Sequence, residues 1–354
     1  MAYTTINKST DYFNTKLYTG TGSGASNRQI TGVGFQPNFT WVKTRGSSQE
    51  HVLVDSVRGA TKALDSTADG AEETNNTRIG AFISDGFQLG SGSVQNRVNQ
   101  NGIDLTSWNW KAETAVSGNT TGSGTAKTYT GSVNTTSGFS IIKYTGNGTS
   151  GHTIPHGLST APQMFIIKQL NAVNAWVVSH HEISATPWDD NYLVLNTTAG
   201  RAGSYSTTGN VAPTSSVISL GNGGEVNGNN NTYIAYIFTG KQGYSKFSHY
   251  LGNANANGNF LYLGFKPSLI ILKGNNTENW SMYDNKRLGY NVDNNVLYPN
   301  DTSAEGTSDD IDILSNGFKI RRATGLLNDS GVRYIYMAFG QSIVGTNNTP
   351  CTAR

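Results

Sequence analysis

The chain repeats itself at a period near 100 residues, and that self-similarity restricts it to folds built from like units strung along one chain. One copy runs Leu17-Tyr18-Thr19-Gly20-Thr21-Gly22, then Gly34-Phe35-Gln36-Pro37-Asn38-Phe39-Thr40-Trp41-Val42-Lys43. A second runs Ile142-Lys143-Tyr144-Thr145-Gly146-Asn147-Gly148, then from Gly157 through Pro162 to Met164-Phe165-Ile166-Ile167-Lys168. The third has His249-Tyr250-Leu251-Gly252-Asn253, then Gly264-Phe265-Lys266-Pro267-Ser268-Leu269-Ile270-Ile271-Leu272-Lys273. In each copy the proline precedes a lysine by six residues, and an aromatic (Trp110, Phe238, Phe339) closes the copy 73, 76 and 72 residues after that proline.

The landmarks read as strand punctuation. Ser84-Asp85-Gly86-Phe87 and Ser315-Asn316-Gly317-Phe318 suggest tight hairpins, with Asp-Gly and Asn-Gly supplying positive φ. Proline suits the first residue of a strand. The apolar run that follows reads as a buried core strand, with the lysine marking its return to solvent. Helical signals are scarce, and Gly59 interrupts a short turn or helix around Asp55 to Leu64. These signals predict an all-β chain of three tandem β-sandwich, jelly-roll-like units. The expected division is an N-terminal arm (1–15), units at 16–112, 138–241 and 242–341, a linker (113–137) and a polar C-terminal tail (342–354).

Composition narrows function by exclusion. Twenty-five Lys and Arg against 23 Asp and Glu give a net charge of +2, without the basic footprint of a nucleic-acid binder. Arg321-Arg322 is the basic pair of note, and one pair makes no phosphate-tracking stripe. No 18-residue apolar run is present to span a membrane. The single cysteine, Cys351, excludes an intrachain disulfide, so stability must come from packing.

A search for chemistry is largely negative, and no cofactor is expected. Gly146-Asn147-Gly148-Thr149-Ser150-Gly151 matches a dinucleotide fingerprint in letters, but Pro155 follows where a helix should start. His152 and His156 flank a loop and lack the companions of a zinc site. Asp189-Asp190 and Asp309-Asp310 with Asp312 read as solvated loop acids, lacking the calcium-loop pattern. No nucleophile elbow and no locatable carboxylate pair support an enzyme. The remaining candidate is a sugar-stacking surface in the middle copy, formed by Trp176, His180, His181, Trp188 and Tyr192. The competing reading places Trp176 in the core and Trp188 over a loop.

Taken together, Tyr18 to Gly22, Gly34 to Lys43, Asp55-Ser56-Val57-Arg58-Gly59, Ser84 to Gly90 and Trp108-Asn109-Trp110-Lys111-Ala112 resemble a repeat domain of unknown function from marine tailed bacteriophages, found in tail-fibre and other virion proteins. The second and third copies keep the strand framework without Asp-Ser-Val-Arg-Gly. The resemblance implies a non-enzymatic virion protein on the particle exterior. A tail-fibre or tail-appendage subunit with host-surface glycan binding is the leading expectation. A capsid-decorating or head-fibre protein and a stand-alone lectin are the alternatives. Implied partners are other virion proteins and further copies of the chain, as a trimer by analogy with phage fibres. Met1 to Lys8 carry no apolar signal-peptide core, which fits synthesis in a host cytoplasm and release by lysis.

Overall fold

Alternating apolar and polar-tolerant positions, Gly/Asn turns and few helix formers give a structure made almost wholly of antiparallel strands. The computed structural model describes residues 4–22, 27–91, 96–203, 206–287, 291, 294–342 and 344, so most of the expected C-terminal tail, including Cys351, lies outside the described residues. Twelve strands form the framework. Block 1 has β1 (Phe13–Thr19), β2 (Phe39–Thr44), β3 (Val52–Asp55) and β4 (Asp104–Trp110). Block 2 has β5 (Phe139–Thr145), β6 (Met164–Gln169), β7 (Trp176–His180) and β8 (Thr232–Phe238). Block 3 has β9 (Ser245–Leu251), β10 (Phe265–Gly274), β11 (Ser281–Asp284) and β12 (Arg333–Ser342).

Each block pairs its strands in the same antiparallel order, first–fourth–second–third: β1-β4-β2-β3, β5-β8-β6-β7 and β9-β12-β10-β11. The registers correspond as well, with Trp41 opposite Trp108, Ile166 opposite Tyr236 and Ile271 opposite Met337. A smaller sheet faces each main sheet: Gln29–Thr31, Gly86–Leu89 and Ile79–Ile83 in block 1, and Phe260–Tyr262, Gly317–Ile320 and Ile311–Leu314 in block 3. In block 2 its strands are Thr121–Gly122, His152–Pro155 and Val217–Leu220. This is an all-β sandwich architecture.

The apolar runs are continuous because each main sheet is buried on both faces. Val42, Val54 and Leu105 face Ile30, Phe87 and Leu89 inside the first sandwich. The alternate residues Phe39, Trp41, Trp108 and Trp110 turn the other way, into a core shared with Ile166, Tyr236 and Phe238 of block 2 and Ile271, Met337 and Phe339 of block 3. The three closing aromatics meet there: the Trp110 and Phe339 ring centroids are 5.8 Å apart, and those of Phe238 and Phe339 are 5.9 Å apart.

Several expectations change at this level. Described residues of the expected arm are docked: Ile6 enters the shared core, and the Ser9 N–H donates to Gln341 Oε1 at 2.8 Å, tying the start of the chain to β12. The expected linker is a hairpin, Thr114–Asn119 paired with Thr128–Asn134, which extends the block 2 sheet beside β5. Its Thr, Tyr and Val residues supply the β-propensity, and Val133 plugs into the block 2 interior. The hairpin glycines also have a steric task. The turns are Ser84-Asp85 and Ser315-Asn316; Gly86 has the expected positive φ, at 147°, Gly317 does not, and each glycine opens the returning strand. A Cβ on Gly86 would lie 2.0 Å from the Ile30 carbonyl oxygen, and one on Gly317 would lie 2.0 Å from that of Leu261. Gly86→Ala and Gly317→Ala are each expected to cost about 1–3 kcal/mol by forcing the neighbouring strand away. A lowered urea midpoint would show this, and an unchanged midpoint would contradict the close packing.

Candidate functional site

The seams between blocks hold the unusual chemistry. The strand lysines were expected to re-enter solvent, yet Lys43, Lys168 and Lys273 are all 0% exposed. Strand-end carbonyls and the neighbouring block enclose them. The Lys43 ammonium donates to Thr44 O at 3.1 Å and to Thr302 O of block 3 at 3.1 Å. Lys273 donates to Gly274 O at 2.9 Å, Asn276 O at 2.7 Å and Thr198 O of block 2 at 3.4 Å. Lys168 donates to Gln169 O at 2.8 Å and is attracted by Asp69 of block 1. Burial pulls each of the three from its usual range down to about 8.

A buried acid–base unit recurs in two blocks. Asp55 ends β3 and receives Arg58 Nε at 2.5 Å and the Arg58 N–H at 2.8 Å, while Arg58 Nη2 caps Leu53 O at 3.1 Å. Asp284 ends β11 and receives Arg287 Nε at 2.6 Å and the Arg287 N–H at 2.9 Å, while Arg287 Nη2 caps Met282 O at 3.0 Å. Block 3 lacks Asp-Ser-Val-Arg-Gly, as read from the sequence, yet carries the looser Asp-x-x-Arg unit through Asp284-Asn285-Lys286-Arg287. Each carboxylate also takes a donor from another block: Tyr236 Oη reaches Asp55 Oδ2 at 2.8 Å, and Trp108 Nε1 reaches Asp284 Oδ2 at 3.0 Å.

In block 2 the register position of these aspartates is His180, with Ile183 in place of the arginine. His180 Nδ1 accepts the Glu182 N–H at 3.1 Å, reproducing the turn that Asp55 makes with the Val57 N–H at 3.0 Å. Burial drives His180 well below its usual range, and His181 acts in the same direction. Two tryptophans make corresponding cross-block contacts. Trp176 Nε1 of block 2 donates to Asp65 O of block 1 at 2.9 Å, and Trp280 Nε1 of block 3 donates to Val194 O of block 2 at 2.9 Å.

The five residues singled out from the sequence do not form one surface. Trp176 and His180 are fully buried in the shared core and at the seam. Trp188 stacks on Phe165, with centroids 5.6 Å apart and planes 8° apart, and Tyr192 packs partly buried on the block 2 interior. His181 is half-buried, bonded through Nε2 to Phe247 O at 2.9 Å. The acids are also structural. Asp190 is buried against Thr207 and Thr208, and Asp310 accepts Tyr283 Oη at 2.9 Å and Arg322 Nη1 at 2.8 Å. No group of three or more His, Cys, Asp or Glu suited to a metal ion occurs among the described residues.

The third seam, between blocks 2 and 3, is bridged by the Lys273, Trp280 and His181 contacts but is not filled along its whole length. A cleft of about 570 Å³ lies there, lined by Ser184, Asp189, Arg201, Leu251, Asn275 and Arg333 among others. No sequence motif marked it, because its residues come from five separate stretches of chain.

Burial of histidines gives a pH prediction. His51 and His180 are held well below the ordinary range, and His152 and His156 are lowered, each chiefly by burial. An unfolded histidine titrates near pH 6.5, so below that value the unfolded chain binds more protons than the folded one. Their contribution is complete above pH 6.5 and is lost as pH falls through it, by up to about 1.4 kcal/mol per pH unit per histidine. Urea midpoints at pH 7.5, 6.5 and 5.5 are expected to fall in that order. A flat series would contradict it.

The family model described as Domain of unknown function (DUF7483) matches residues 8–342, spanning all three blocks. No curated protein and no solved structure matches the chain. No helix among the described residues is long and apolar enough to cross a membrane.

Proposed function

We propose that this chain, which belongs to the DUF7483 family, is a non-enzymatic structural protein on the exterior of a tailed-phage particle, most simply a tail-fibre or tail-appendage subunit that meets the host surface. The observation that carries the reading is the closure of three sandwich blocks, which we infer to be copies of one unit, around one aromatic core, with buried Asp–Arg pairs inside two blocks and lysines caged at the seams. Such a body resists shear without disulfides. Its charge-poor surface, with 14% charged residues in the chain, suits a densely arrayed protein. The motifs behind the phage resemblance also have structural tasks: Asp55 and Arg58 form the buried pair, and Trp108 and Trp110 enter the shared core.

The ring of cross-block contacts supports a second reading. A body built from three like blocks matches a local threefold position on a capsid, as a decoration or head-fibre protein would. Cryo-electron microscopy of particles encoding the chain separates the two and gives the copy number. Density on the tail, anchored at one end, is expected. Density over the capsid lattice would replace the first reading with the second, and absence from particles would overturn both.

A further inference from the structure

The seams can be compared position by position. In each, a backbone N–H from one block donates to the carbonyl two residues beyond the neighbour's caged lysine: Glu72 N to Leu170 O at 2.8 Å, Glu305 N to Arg45 O at 2.7 Å, and Arg201 N to Asn275 O at 3.0 Å. In the first seam, the Glu72 carboxylate takes Arg58 at 3.2 Å. In the second, Glu305 takes Arg45 at 2.8 Å and Arg287 at 2.8 Å. The third seam has Arg201 where the others have glutamate, and Ile183 and His180 where they have arginine and aspartate. The glutamate–arginine contact is missing there; Glu182 of block 2 instead takes Ser248 Oγ at 2.7 Å and His249 Nδ1 at 3.0 Å from block 3, and Arg201 lines the 570 Å³ cleft.

We propose that this cleft binds a carboxylate-bearing saccharide, a proposal that deepens the host-surface reading above. Arg201 and Arg333 both line it, and neither forms an ion pair among the described residues. Arg201 Nη1 bonds the Asn191 amide oxygen at 3.0 Å and Arg333 Nη1 reaches Glu182 O at 3.4 Å, which leaves guanidinium N–H groups for a carboxylate. Asn275 donates through Nδ2 to Ile183 O at 2.7 Å, while its buried Oδ1 has no donor. A sugar hydroxyl supplies that donor, as a bare inorganic anion does not. Asp189, already accepting Ser184 Oγ at 2.5 Å, presents further acceptor capacity to hydroxyls and disfavours a ligand of dense negative charge. Leu251, 50% exposed, and Val332 offer an apolar patch to a ring face.

The test is titration calorimetry of the full chain with a hexagalacturonate, with cellohexaose as the neutral control and inorganic phosphate as competitor. Hexagalacturonate is expected to bind, cellohexaose to bind at least roughly tenfold more weakly, and phosphate not to displace it. Arg201→Glu installs the residue type that the other seams carry, and should lower affinity at least roughly tenfold, as should Arg333→Gln. Thermal midpoints of both variants identify any that fail to fold, and Arg201→Gln gives a milder second probe of the same contact. Absence of hexagalacturonate binding to the folded parent overturns the proposal. So does equal binding of the neutral sugar, displacement by phosphate, or affinity unchanged in folded variants. Particle location is read separately by microscopy. A chain found on particles that binds no uronate loses this proposal alone, and a uronate-binding chain absent from particles loses only the virion reading.

Discussion

Replacing Phe339 by alanine will destabilise the chain by about 3–5 kcal/mol. The reason is its position. The ring lies 5.5 Å from Phe13 of block 1, 5.9 Å from Phe238 of block 2, and 5.9 Å from Phe247 of its own block, centroid to centroid. Its removal leaves a void that large aromatics cannot close without shifting three sheets at once. The loss should therefore appear in every block together, as one urea transition moved to lower midpoint. Tyr262→Ala is the matched control: that ring is 53% exposed on the small sheet of block 3, and its truncation should change stability by about 0.5 kcal/mol or less. Equal effects of the two substitutions would contradict the shared core.

Loss of the Asp55 carboxylate should be as costly, about 3–5 kcal/mol for Asp55→Ala. Arg58 and Asp55 side chains are both fully buried, so the substitution leaves a guanidinium inside with Glu72, at 3.2 Å, as its remaining carboxylate partner. It also strips a partner from Tyr236 Oη and from the Val57 and Arg58 N–H groups. Asp284→Ala should behave alike, since Trp108 Nε1 and Arg287 lose the corresponding acceptor. Removing both charges with Asp55→Leu and Arg58→Met should recover part of the loss, because the largest penalty is the uncompensated charge and not the absence of the pair. Urea unfolding of the parent, Asp55→Leu, Arg58→Met and the double variant checks this as a double-mutant cycle. Additive losses would show that the two groups do not act as a pair.

The sequence showed what depends on local order along the chain. Proline-to-lysine runs are buried strands, and the closing aromatics Trp110, Phe238 and Phe339 fall at corresponding strand positions because strand spacing is a local property. It did not show what neighbouring blocks supply. A lysine after an apolar run ordinarily signals solvent, but here carbonyls such as Thr302 O and Thr198 O come from other blocks to cage it. Trp176 could be read as a sugar platform or as core, and the structure places it in the core: its cover, Asp65 O and Ala68 O, lies more than 100 residues away in sequence. One missed feature had a usable signal. Asp-x-x-Arg occurs 18 residues after Pro37 and 17 after Pro267, and matching by offset would have found Asp284 and Arg287 although the residues between them differ. The cleft had no such signal, because its lining comes from separate stretches of chain, and the departures at Arg201, Ile183 and His180 become visible once the seams are compared in space.

The functional reading rests on the three blocks forming one mechanical body, and scanning calorimetry of the full chain tests that most directly. One transition is expected, with calorimetric and van't Hoff enthalpies equal, because no main sheet can lose its outer face without opening the shared core. Two or three resolved transitions, or a van't Hoff enthalpy near one third of the calorimetric value, would mean that the blocks unfold independently, and would contradict the account.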